Sequence, residues 1–170
     1  MTQMDQSLGR ALLSKIGEQM DRTEHLIGLL PEDRLEWKPE IPGSWTASVL
    51  MGHLLECLAG FCAVLYTADR ERLGHFARLR ELPVNHACGC QEARRRIAQY
   101  RTHIQEGFSV LSDSQLAVLV PTVFVPRGEP LLTLLLGNLE HLINHKHQLF
   151  TYLKLMGVAV GTQDLYWFRK

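Results

Sequence analysis

The sequence has no excess of charge of either sign: 18 basic residues stand against 18 acidic ones in a chain of 170. A nucleic-acid partner ordinarily demands a basic patch or stripe, so none is expected here. The one basic cluster, Arg94–Arg95–Arg96, falls in a helical pattern whose other face is apolar, and it reads as a solvated outer face. No stretch has the proline, serine or charge bias of a disordered region, and there is no internal repeat or low-complexity tract. The opening "MTQMDQSLGRALLSK" lacks a continuous apolar core of signal-peptide length. The apolar run from Leu131 to Leu142 is interrupted by Thr133, Gly137, Asn138, Glu140 and His141, too often for a membrane span. A cytoplasmic protein that avoids membranes is therefore expected. Cysteine is scarce: Cys57, Cys62, Cys88 and Cys90 make up the whole set. In the cytoplasm all four are expected to be thiols. Cys57 and Cys62 lie five apart on one predicted helix and face different ways.

What is present is helical periodicity. Leu8, Leu12, Ile16, Met20, Ile27 and Leu30 share one stripe of a first helix, about 6–30. "PEDRLEWKPEIPGSW" then breaks the pattern with Pro31, Pro39, Pro42 and Gly43. Ser44 or Thr46 can cap a second helix, about 46–68. Residues 70–89 are harder to read, and "LPVNHACGC" within them looks like a loop. Ala93, Ile97, Tyr100, Ile104, Phe108 and Leu111 mark a third helix, about 91–111. "VLVPTVFVPRGEP" is β-branched and proline-rich, an extended connection with room for a short hairpin. A fourth helix starts near Pro130 and ends before Gly157, which suits a C-terminal cap. No convincing sheet accompanies these segments. The expectation is an all-α chain, a single four-helix-bundle domain over 1–170, with its core at about 8–157 and an irregular aromatic tail at 158–170. The long connections after helices one and three leave room for crossovers. Helix four carries apolar residues on more than one face (Leu132, Leu135, Leu136, Leu139, Leu142, Ile143), so it is either central or packs on a second subunit. A homodimer is one expectation.

The histidines carry the chemistry. His141 and His145 are four apart and project side by side. Their face continues through Asn138, Gln148 and Tyr152, a polar seam on an otherwise apolar helix. His147 lies about 200° around the helix from His145 and points elsewhere. On helix two, His53 sits among Val49, Leu50, Leu54 and Leu55, and its face continues through Glu56, Cys57 and Gly60. One His on helix two and an H-x-x-x-H pair on helix four can meet inside a bundle. Three imidazoles with an open position form the ligand pattern of a catalytic zinc site, and they also suit nickel or iron. The structural alternative is plain hydrogen bonding: His53 as a satisfied core residue, and the pair bonded to Asn138, Gln148 or Tyr152. Spacing alone leaves both readings open. His86, Cys88 and Cys90 offer a competing soft-metal site, but no second pair at finger-like spacing accompanies them, and a reduced loop is preferred. Cys57, one turn after His53, is either an extra ligand or a small core residue. His25, His75 and His103 sit in polar contexts and read as surface residues.

The order of a first amphipathic helix, then "LPEDRLEWKPEIPGSWTASVLMGHLLE", then "HLINHKHQLFTYLKLMG" resembles the DinB/YfiT family of small four-helix-bundle proteins. The resemblance covers about residues 8–157. It is strongest at Trp37, Pro39, Trp45, His53, His141, His145, Gln148 and Gly157; His147 and Cys57 depart from the usual pattern. It implies that His53, His141 and His145 hold one divalent ion, zinc or nickel, with an open position in a pocket at one end of the bundle. Related members are thiol-dependent, either S-transferases using bacillithiol-type cofactors or a maleylpyruvate isomerase using mycothiol. The expected function is therefore activation of a low-molecular-weight thiol or water against a small electrophile, by S-transfer or hydrolysis. Glu56 is the candidate for orienting a ligand ring or moving a proton, and Gln148 and Tyr152 are candidates for contacting substrate. The alternatives are a non-catalytic metal-binding or stress-response module, and an interaction unit that retains the ligands without using them.

Overall fold

A computed structural model describes residues 7–81 and 86–167, so Gln6, the expected start of helix one, lies outside them. The chain is all-α, built on α1 (Leu8–Gly28), α2 (Ala47–Ala68), α3 (Cys90–Ser109) and α4 (Leu131–Leu155). A further single turn, α5 (Thr162–Leu165), follows in the tail. Local chemistry sets the ends. Ser7 caps α1, and the Asp113 carboxylate accepts from the backbone N–H groups of Leu8 and Gly9 at 2.9 Å each. This places a negative charge where the helix dipole favours it. Thr46, not Ser44, caps α2 by accepting from the Val49 N–H. Gly157, with φ at +82°, ends α4: its N–H reaches the Lys154 carbonyl and the Val158 N–H reaches that of Leu153. These are the paired bonds of a Schellman cap.

The four long helices close into a ring in which α1 and α2 lie diagonally opposite, as do α3 and α4. Ion pairs set the directions. Asp21 of α1 meets Arg101 of α3 at 2.7 Å and Glu24 meets Arg94, so these two helices run antiparallel. Gly60 and Asn138 approach closely, and so do His53 and His145, so α2 and α4 are also antiparallel. In contrast α2 and α3 run parallel: the Cys88 N–H donates to Ser48 at the start of α2, while Gly107 lies against Leu65 near its end. The connections after α1 and α3 join diagonal helices. The connection after α2 instead brings residues 86–89 back beside the beginning of α2. It includes a 3₁₀ helix, Gly74–Glu81, that packs on α2. Between α3 and α4, β1 (Leu119–Val120) pairs antiparallel with β2 (Glu129–Pro130).

Because α2 faces both α3 and α4, it is apolar nearly all round; Leu50, Met51, Leu54, Leu55, Leu58, Phe61 and Leu65 are buried. By length and composition it is the one helix among the described residues able to cross a membrane, but most of its apolar window is buried inside the fold. The α1 stripe is buried from Leu12 to Leu30, whereas Leu8 is half exposed. Arg96 departs from the solvated face expected for the arginine cluster. It is buried, with its guanidinium against the His86 ring. The tail is anchored on α1. The His25 ring stacks on Trp167 and bonds to Asp164, and Arg22 donates to the Trp167 carbonyl.

Candidate metal centre

The polar seam of α4 faces α2 along its length. Asn138 lies on Gly60, where a side chain would collide with it; His141 and His145 meet His53; Tyr152 reaches the chain just ahead of α2. The antiparallel pairing of α2 and α4 thus brings an H-x-x-x-H pair onto a histidine far away in sequence.

The three imidazoles present the same nitrogen to one point. His53 Nε2 is 3.1 Å from His141 Nε2 and 3.1 Å from His145 Nε2. The His53 and His145 rings stand nearly perpendicular, at 85°. Hydrogen bonding on the far side of the rings decides whether this contact is a hydrogen bond. His53 Nδ1 is 2.9 Å from Glu56 Oε2, and a carboxylate only accepts, so Nδ1 carries the proton. For His145 the tautomer is set through a hydrogen-bond relay. The Trp45 backbone carbonyl only accepts, so the Tyr152 hydroxyl donates to it, at 3.1 Å. The Gln148 amide then donates to Tyr152 Oη through Nε2, at 3.4 Å. That turns Gln148 Oε1 towards His145, whose Nδ1–H donates to it at 2.9 Å. In their neutral forms His53 and His145 therefore point bare Nε2 lone pairs at each other, which is repulsive without a cation between them.

Burial first, and then the neighbouring His53 ring, hold the His141 imidazole below its ordinary pKa. Burial does the same to His145, against the opposing pull of the Gln148 hydrogen bond. Both shifts favour the neutral ring, the form that ligates metal. A tetrahedral ion with bonds of about 2.0–2.1 Å needs ligand nitrogens about 3.3 Å apart, close to the separations present. The donor set and its spacing fit a divalent ion. Among the described residues no fourth His, Cys, Asp or Glu donor joins the three. Trp45 closes one side: its indole lies 4.7 Å from the His53 ring and 5.8 Å from that of His145.

The sequence model of the DinB superfamily matches residues 16–149. This chain belongs to the DinB superfamily. The crystal structure of a DinB-like protein, YjoA from Bacillus subtilis, matches with a TM-score of 0.66 at 20% identity, covering 86% of this chain and 92% of that one. At that identity the likeness concerns the fold. No curated protein matches the chain.

The DinB frame accounts for the aromatic and glycine anchors seen in the sequence. Trp37 packs edge-on against Tyr152, Trp45 covers the imidazoles, and Gly157 terminates the helix that bears two of them. The other sequence candidates fall elsewhere. His147 is exposed and lies near Phe150, away from the centre. Cys57 is buried and outside the converging donors, with burial pushing its thiol up to about 12. Cys88 and Cys90 are free, buried thiols, and His86 bonds instead to Glu92 and Arg96. Glu56, Gln148 and Tyr152 are all close to the centre, each in a bond that orients a histidine or supports one that does. Two features were not read as functional from the sequence: Trp45 as a wall of the site, and a grouping of His75, His103 and Glu106. The i, i+3 spacing of His103 and Glu106 was the available signal for the second, but its partner His75 comes from the segment that periodicity could not parse.

Proposed function

We propose that this DinB-superfamily chain is a cytoplasmic, divalent-metal-dependent enzyme that activates a low-molecular-weight thiol or water for S-transfer to, or hydrolysis of, a small electrophile. The observation that carries the reading is the convergence of three imidazole Nε2 atoms, those of His53 and His145 unprotonated in the neutral rings, with no fourth His, Cys, Asp or Glu donor among the described residues. Zinc or nickel suits three imidazoles. Such an ion lowers the pKa of a bound thiol or water, so that the nucleophile is available at neutral pH.

The chain's own residues do the rest. His53, His141 and His145 supply neutral lone pairs. Glu56 holds His53 through Oε2, and its carboxylate, about a third exposed, is placed to accept the proton released as the thiol or water ionises. The Trp45 indole, 38% exposed, offers an apolar wall that keeps water from one side of the reacting atoms. The hydrogen-bond relay favours a positioning role for Gln148 and Tyr152 over substrate contact. A homodimer belongs to the proposal, supported by Leu136, an apolar side chain left exposed on α4.

The test is conjugation of bacterial thiols with halogenated or epoxide electrophiles. In such a reaction a sulfur–carbon bond forms as halide leaves or the ring oxygen opens. Metal-loaded protein should accelerate it. Stripped protein and His141→Ala should not, and Glu56→Gln should slow it while keeping the metal. Retained metal with no acceleration across the panel would favour the non-catalytic module instead.

A further inference from the structure

A second cluster lies away from this centre. His103 and Glu106 stand on one face of α3, and His75 reaches them from the 3₁₀ helix Gly74–Glu81. The neighbouring Gly107 packs on Leu65, which is about 18 Å along α2 from His53 at the helical rise. Glu106 Oε2 is 3.1 Å from His75 Nε2 and 3.8 Å from His103 Nδ1. One donor atom from each of the three lies within 4.8 Å of the others.

Two features distinguish this grouping from a chance meeting of surface side chains. The first is an orphan: His103 Nδ1 is buried and has no hydrogen-bond partner among the described residues. A buried ring nitrogen in that state calls for a ligand, and it faces a carboxylate and a second imidazole. The second is support. Phe76, buried, sets its ring edge-to-face against His75 at 4.9 Å and against His103 at 5.4 Å. Both imidazoles are thus braced by the same core side chain.

We propose that His75, His103 and Glu106 form a second divalent-metal site, independent of the three-histidine centre. Two neutral imidazoles and one carboxylate leave a divalent ion with a net positive charge, a donor set that zinc accepts. Metal–donor bonds of about 2.0–2.2 Å put neighbouring donors about 3.2–3.5 Å apart, so Glu106 and His103 need to close by only a few tenths of an ångström. His75 and Glu106 are each nearly half exposed, so the ion enters from solvent and water completes its coordination. The exposure also makes this site weaker than the first. Its occupation would pin the connection between α2 and α3 to the face of α3.

Equilibrium dialysis of the metal-free full chain against Zn2+ tests this, with metal analysis and circular dichroism on each variant. The wild type should take up two ions per chain, the second more weakly. His103→Ala and Glu106→Gln should each lower the affinity of the second event at least tenfold and leave the first unchanged. His141→Ala should do the converse. One ion per chain that is lost in His141→Ala and kept in His103→Ala, or two undiminished in folded His103→Ala, would overturn the second site. Loss in His103→Ala with none in His141→Ala would uphold it and overturn the first.

Discussion

The Tyr152 hydroxyl donates to the Trp45 carbonyl at 3.1 Å, tying α4 to the chain just ahead of α2 and fixing, two hydrogen bonds away, which nitrogen of His145 faces the centre. Outer partners of ligating histidines are commonly worth about 10–100-fold in metal affinity. Gln148→Leu should therefore weaken metal binding by about that factor, measured by competition with a chromophoric chelator. Tyr152→Phe leaves Gln148 free to flip and should cost less, in the same direction. Wild-type affinity in Gln148→Leu would remove the relay from the account.

Each of His53→Ala, His141→Ala and His145→Ala should lose metal, because two ligands remain, while His147→Ala should keep it. The loaded wild type should also melt higher than the stripped protein. A ligand at one hundred times its dissociation constant adds about 2.7 kcal/mol to the folded state, and the ligand variants should forgo that gain. Identical metal content in all four variants would contradict the assignment.

The cysteines should be silent in the native protein. Burial pushes the Cys57 and Cys62 thiols up to about 12, and Cys88 and Cys90 up to about 11. Since the thiolate is the reactive form, a disulfide reagent at pH 7.5 should label the folded chain slowly and count four thiols once it is denatured. Cys57→Ser should retain metal. Its loss there would reveal a fourth ligand and a closed site.

Acid should loosen the tail before the bundle. The Gly161 N–H and then the His25 ring, both bonded to Asp164, hold that carboxyl below its usual pKa. A group with a depressed folded pKa contributes stability above its unfolded pKa and loses it as pH falls through the folded value. Amide exchange in 161–167 should accelerate selectively below about pH 4. Asp164→Asn should abolish that pH dependence.

At Gly52 the returning chain lies so near α2 that a Cβ would collide with the His86 carbonyl. Gly52→Ala gains helix propensity yet should destabilise the fold by about 1–3 kcal/mol, since backbone has to move. Urea denaturation measures this. A neutral or stabilising result would mean that the segment from 86 to 88 yields easily.

The four helices and the α4 seam were legible because 3.6-residue periodicity is written on single segments, and the seam's residues share one face whatever they meet. Gly157 and Thr46 were legible as caps for the same local reason. Other features depend on distant partners. Arg96 reads as a solvent-facing arginine until His86 is laid on it. The direction of the relay is decided by a backbone carbonyl, which no side-chain pattern encodes. Nor does periodicity reveal that α2 and α3 run parallel, since that depends on how 69–89 returns. His53 was a lone imidazole on an apolar face until resemblance and then geometry supplied its partners.

His141 follows His53 by 88 positions, and most of α2, the returning segment, α3 and the hairpin lie between them. A shared ion would clasp the two ends of that span like the pin of a brooch. An ion that binds only the folded arrangement has to be released before the two ends of that span can separate. Such a clasp would therefore hold the bundle most firmly against opening α4 away from α2, and do little to resist fraying of the tail beyond Gly157. Under a pulling force applied at residues 46 and 155, the metal-loaded protein should yield at a higher load than the stripped one. The same force applied between α1 and the tail should find the two forms nearly alike.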